Sequence, residues 1–92
     1  TAPRGIDGCQ APVMAMPLKD FARSVAKVAN PEKLSSRYKE ASEQIISAIA
    51  QHPYLVAGRD RFCTDIALYT QGKVLAKMGA EGVFSAFVPH LG

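Results

Sequence analysis

Apolar residues recur along the chain first at helical spacing and then in strand-like alternation. Leu18, Phe21, Ala22, Val25, Val28 and Ala29 fall on one side of a helical period, with Lys19, Asp20, Arg23 and Lys27 on the other. This predicts a helix of about three turns with its apolar face on a core. Asn30-Pro31 ends it and suits the opening of a second helix, with asparagine as the cap and proline at the first position. The second run, Leu34, Tyr38, Ala41, Ile45, Ala48 and His52, widened by Ile46 and Ile49, is longer. His52-Pro53 closes it, because proline disfavours helical geometry in the residue before it. The short break between the two runs predicts an antiparallel pair. Tyr54–Gly58 is too short to assign by period. Asp60 or Thr64 is placed to cap a third, short helix carrying Ile66, Ala67 and Tyr69, which Gly72 stops.

Beyond Gly72 the period changes. Lys73–Met78 and Val83–Val88 read as strands, and the Gly79-Ala80-Glu81-Gly82 segment between them suits a hairpin. Residues 1–17, punctuated by Pro3, Gly5, Gly8, Pro12 and Pro17, read as loop. The expected class is therefore α+β: two to three helices followed by an antiparallel hairpin. A lone hairpin is marginal in water. Its second strand is apolar on both faces, with Val83, Ser85 and Phe87 on one and Phe84, Ala86 and Val88 on the other. Both faces need more cover than this chain supplies. The chain also starts at Thr1 and reaches Leu91-Gly92 without a stop signal. Residues 1–92 are thus expected to form one partial domain of something longer.

Composition narrows the function classes. A chain of 92 residues allows one small domain, which buries about 60–65% of its unfolded surface. At 48% hydrophobic it fits a globular protein rather than a disordered tail. The net charge of +3 is spread without a block of like charges, so no nucleic-acid partner is expected. No apolar run approaches a membrane span, and there is no basic-then-apolar signal segment; a cytoplasmic location is expected. Cys9 and Cys63 stand far apart, unlike a disulfide scaffold, and two thiols alone do not close a structural zinc site.

Several residues admit both a structural and a chemical reading. Cys9, in the Asp7-Gly8-Cys9 loop, is either a bystander or a thiolate ligand or nucleophile. Lys77, within an apolar strand and just before a glycine-rich turn, is either a solvent-facing residue or a buried lysine acting as a general base. Glu81 lies between small residues that allow close approach to a ligand, or it merely decorates the turn. His52 reads as a helix C-cap. Arg61 is either solvated or a carboxylate binder. Cys63 reads as a structural thiol, and Met14, Met16 and Met78 as packing. There is no phosphate loop, metal-helix motif or nucleophile elbow.

Three blocks together resemble the L-asparaginase II family, the rhizobial-type or thermolabile asparaginases. They are Gly5-Ile6-Asp7-Gly8-Cys9 with Ala11-Pro12 and Ala15-Met16-Pro17-Leu18; His52-Pro53-Tyr54-Leu55-Val56-Ala57-Gly58 with Arg61 and Thr64; and Ala76-Lys77-Met78-Gly79-Ala80-Glu81-Gly82-Val83-Phe84. The resemblance covers nearly the whole chain and implies the C-terminal third of a longer enzyme. It implies a β-lactamase or penicillin-binding-protein-like α/β/α domain that hydrolyses L-asparagine to aspartate and ammonia by serine–lysine acyl transfer. The resemblance places the family's catalytic Ser-x-x-Lys segment and second serine upstream of these residues. Lys77 matches the motif lysine, in a Lys-Met-Gly stretch that parallels the Lys-Thr-Gly strand of β-lactamases. Cys9 matches the last ligand of a zinc site whose other ligands, in a Cys-Ser-Gly-Lys segment, are likewise placed upstream. Asp7 and Glu81 are implied to shape the substrate pocket, while Arg61 and Thr64 match without an assigned role. The isolated chain is expected to hold no zinc and to be inactive, and a homo-oligomer is expected. A second reading makes it a non-catalytic helical and hairpin interaction module.

Overall fold

The computed structural model describes residues 3–91. Thr1, Ala2 and Gly92 lie outside the described residues, and with them the chain ends singled out above. Two strands come first, β1 (Arg4–Ile6) and β2 (Pro12–Met14), followed by helices α1 (Leu18–Ala29), α2 (Ser36–Gln51), α3 (Pro53–Ala57) and α4 (Phe62–Tyr69). Strands β3 (Leu75–Met78) and β4 (Phe84–Phe87) complete the order. Each strand pair forms its own two-stranded antiparallel sheet. The molecule is α+β, as the change of period predicts.

The first hairpin corrects the loop expected over residues 1–17. Gly5 faces Val13 and Ile6 faces Pro12. The turn holds it together: the Asp7 N–H donates to Ala11 O at 2.8 Å, and the Asp7 carboxylate accepts the Gly8 N–H at 2.7 Å. Gln10 takes φ 68° to close the reversal. Pro12 is tolerated because the pairs flanking it carry the ladder bonds, so its missing N–H would have faced away from β1.

Helices α1 and α2 begin and end close to the periodic runs, with two differences. Asn30-Pro31 opens only a single 3₁₀ turn, Pro31–Lys33, without a side-chain cap, and α2 starts at Ser36. The apolar face of α1 is covered only at its C-terminal end: Ala29 is buried, Val25 and Val28 are half-buried, and Leu18 is 78% exposed. His52 caps α2 through its backbone N–H on Ala48 O. Pro53 then starts α3, where its fixed φ suits the first helical position. Gly58, at φ 90°, ends that helix in a conformation that favours glycine.

Helix α4 corrects the expected caps. Arg61 occupies the cap position, and neither Asp60 nor Thr64 serves there. Thr64 is buried and donates its hydroxyl to Gly58 O at 2.6 Å, tying α4 to the end of α3. Thr70 donates to Ile66 O and accepts the Val74 N–H at 3.0 Å, which sets the path from α4 into β3. The core lies in this half: Ile46, Ala67 and Leu75 are buried together, with Ile49, Ala50 and Phe87 against them. Burying side chains of the Leu and Ile class contributes about 1.5–3 kcal/mol each.

The radius of gyration is 14.1 Å and the extents are 37 × 35 × 20 Å, against about 12 Å for a compact domain of this length. The chain is spread more thinly than a self-sufficient domain. Both faces of β4 agree with this, since Phe84 and Val88 remain exposed and Ser85 and Phe87 are half-buried. Met14, Met16 and Met78, read as packing residues, all keep an exposed side chain. Among the described residues, no helix is long and apolar enough to cross a membrane.

Candidate functional site

The four singled-out residues occupy two turns. Asp7 and Cys9 share the β1–β2 turn, where the Cys9 thiol donates to the Asp7 carboxylate at 3.9 Å, and both are exposed. Lys77 and Glu81 share the β3–β4 hairpin. Among the described residues, no hydrogen bond or ion pair links one turn to the other.

Register explains where Lys77 points. Lys77 faces Ser85 across the hairpin and Met78 faces Phe84. Alternation therefore puts Lys77 on the side of Leu75, while Met78 lies on the other. Leu75 is fully buried, but Lys77 is two residues further along, beyond the edge of the core, and is exposed. Its ammonium donates to Met78 O at 2.6 Å and, among the described residues, pairs with no carboxylate. In this chain Lys77 is the solvent-facing lysine of the two readings, not a buried one.

The turn beyond it holds one of five non-glycine residues with positive φ among those described. Glu81 sits at φ 56°, ψ 36° inside the 3₁₀ turn Ala80–Gly82. This left-handed conformation is costly for a residue with a side chain and is common near functional sites. The Gly79 N–H donates to Val83 O at 2.8 Å, which closes the turn beneath the glutamate.

Arg61 and Thr64, read from the sequence as a solvated or carboxylate-binding arginine and a candidate cap, both take part in packing. The Arg61 guanidinium lies against Met78 Sδ. Beside it, the Phe62 and Phe84 rings meet at 5.5 Å with a 51° tilt. The start of α4 thus props the apolar side of the lysine hairpin, and Thr64 anchors α4 from within. The sequence signal was the closeness of these residues to His52–Gly58, but the partner carbonyl was not legible there. Cys63 is buried, in keeping with a structural thiol.

Asp7 and Cys9 offer one carboxylate and one thiol, and the described residues contain no group of three or more His, Cys, Asp or Glu placed to hold an ion. A catalytic zinc needs three protein ligands and a structural zinc four, so these residues do not make a zinc site among themselves.

Two comparisons bear on identity. The family model for L-asparaginase II matches residues 1–92. A comparison with curated proteins returns no match.

Proposed function

Because the chain belongs to the L-asparaginase II family, we propose that it is part of an enzyme that hydrolyses the side-chain amide of L-asparagine, and that Lys77 is its contribution to catalysis. The nucleophilic serine lies outside these 92 residues. In this reading Lys77 stands beside a second lysine there, and activation of the serine requires one of the two amines to act in its neutral form. A neutral amine can take the serine proton during acyl transfer and return it to leaving ammonia. The observation that carries this reading is the presentation of Lys77: exposed, without a carboxylate partner among the described residues, and next to the left-handed turn at Glu81.

In the same reading, Asp7 and Glu81 border the substrate pocket. Cys9 supplies one thiolate to a zinc site completed by ligands outside the chain. The enzyme is a cytoplasmic homo-oligomer, its fold is the β-lactamase-like α/β/α domain, and residues 1–92 form a single partial domain of it. The 92 residues alone release no ammonia from asparagine.

The test is Lys77→Ala and Lys77→Arg in the full-length enzyme. Loss of a general base should lower kcat about 10²–10⁴-fold. Arginine should not restore it, because a guanidinium stays protonated. An unchanged kcat in Lys77→Ala would remove Lys77 from the mechanism. The uncovered apolar faces of α1 and β4 favour, as a second reading, a chain that also serves as an interaction module.

A further inference from the structure

Given Lys77 as the catalytic lysine of the preceding reading, we propose that Ser85 is its positioning residue: the serine hydroxyl anchors the lysine's backbone across the hairpin and offers the amine a hydrogen-bond acceptor. Composition and register single Ser85 out. The run Val83-Phe84-Ser85-Ala86-Phe87-Val88 is apolar except at Ser85. Strand β3 is apolar except at Lys77. The register sets these two residues directly opposite each other. They share one face of the hairpin, with Cβ atoms about 5 Å apart. A polar residue that interrupts an apolar strand gives up packing there, and such local breaks are expected where function outweighs stability.

The hydroxyl is committed in one direction. Ser85 Oγ donates to Lys77 O at 3.2 Å. A hydroxyl has one proton and two lone pairs, so with that proton placed Ser85 meets the lysine amine only as an acceptor. For a lysine that works as a base, the distinction decides the geometry. A donor would occupy the amine's lone pair. An acceptor takes one N–H and leaves the lone pair for the incoming proton. In this structure the amine rests on Met78 O, also an acceptor, at 2.6 Å. The flexible four-carbon stem lets it exchange that carbonyl for the serine oxygen.

Ser85 also fills a gap in what holds the hairpin. The opposite face is gripped by the start of α4, with Arg61 against Met78 and Phe62 against Phe84. On the Lys77 face the core reaches only to Leu75 and its partner Phe87. The turn closes beyond Lys77, at Gly79 and Val83. Between core and turn, among the described residues, Ser85 is the side chain bonded to Lys77.

In the full-length enzyme, Ser85→Thr and Ser85→Val compare a hydroxyl with its isostere, and both residues are β-branched and suit a strand. Ser85→Val should lower kcat about tenfold or more while KM stays within about twofold, because a small misplacement of a catalytic group acts on the transition state. Ser85→Thr should keep most of the activity. Ser85→Ala should match Ser85→Val, a check that does not depend on how the added methyls pack. In a Lys77→Ala background, Ser85→Val should cost nothing further, since the serine acts through the lysine. Equal kcat for Ser85→Thr and Ser85→Val, with Lys77→Ala impaired, would overturn the role of Ser85 and leave that of Lys77 standing. So would the same loss from Ser85→Val with and without Lys77, because the serine would then act on something else. An unimpaired Lys77→Ala enzyme would remove both roles.

Discussion

The two hairpins of this molecule are built alike and situated differently. Strands β3 and β4 rest on α4 and reach the core through Leu75, which is fully buried, and Ala76. Every residue of β1 and β2 is exposed. The first hairpin is held by its turn, through the Asp7 carboxylate and backbone; the second is held by packing. Local hydrogen bonds fix a shape but exchange bonds to water for bonds to protein, so their net contribution is small. Apolar burial has no such offset. The difference locates the stability of the chain in the stretch from α2 to β4 and leaves the Asp7–Cys9 turn resting on its local hydrogen bonds.

Substitutions that reach into one region and spare the other test this contrast. The largest effect should come from Leu75→Ala. It removes a fully buried side chain beside Ile46 and Ala67 and should cost about 2–5 kcal/mol. Val13→Ala in β2 removes an exposed side chain and should stay within about 0.5 kcal/mol. Denaturant melts of the two variants measure the contrast directly, and equal losses would abolish it.

Thr64→Val comes next. The hydroxyl bond to Gly58 O at 2.6 Å joins α3 to α4 from a buried position. Its loss leaves a carbonyl short of a partner and should cost about 1–3 kcal/mol. A variant as stable as the unsubstituted chain would show that packing alone holds the two helices.

Glycines offer a finer comparison. Gly72 has φ +77°, and a Cβ there would come within 3.1 Å of the Ala50 Cβ. Gly72→Ala should therefore destabilise by roughly 1–2 kcal/mol. A Cβ on Gly8, in the first turn, meets nothing within 4 Å, and Gly8→Ala should be nearly neutral by thermal melt.

The smallest effect is electrostatic. Lys39 donates to Glu32 at 2.9 Å. That hydrogen bond and the lysine's charge hold the Glu32 carboxyl below its ordinary value and raise Lys39 above its own. A lowered carboxylate stabilises the fold above its unfolded pKa and loses that contribution as pH falls through the folded value; the raised lysine loses its contribution only as pH rises through its own range. Both groups are open to solvent. Glu32→Gln should thus flatten the acid side of the stability profile slightly, with the difference shrinking in salt. An acid limb identical in both proteins would show that the pair contributes nothing.

What the sequence made legible follows the same division. The α1 and α2 runs are several turns long, so their period stands out, and prolines mark their ends at Pro17, Pro31 and Pro53. The β3–β4 hairpin showed through Gly79 and Gly82. Strands of three residues, such as Arg4–Ile6 and Pro12–Met14, contain too little alternation to register, and their prolines and glycines read as loop. Thr64 looked like a cap because threonine often is one; its carbonyl partner is set by how α3 turns at Gly58. Leu18 and Phe21 read as core because amphipathicity reports that a face seeks cover, not that the same chain provides it. The candidate residues were legible as two motifs. That Lys77 is exposed and that Glu81 sits in a left-handed turn depend on register and turn closure, which no single position encodes.

The central claim is that packing from α2 to β4, not the first hairpin, stores the stability of the chain, and native-state amide hydrogen exchange tests it most directly. The account predicts that the Ile46 and Ala67 amides exchange only through global unfolding, while the Asp7 and Ala15 amides, bonded to Ala11 and Pro3 carbonyls, exchange through local opening at least about a hundredfold faster. Protection of Asp7 and Ala15 equal to that of Ile46 would contradict it.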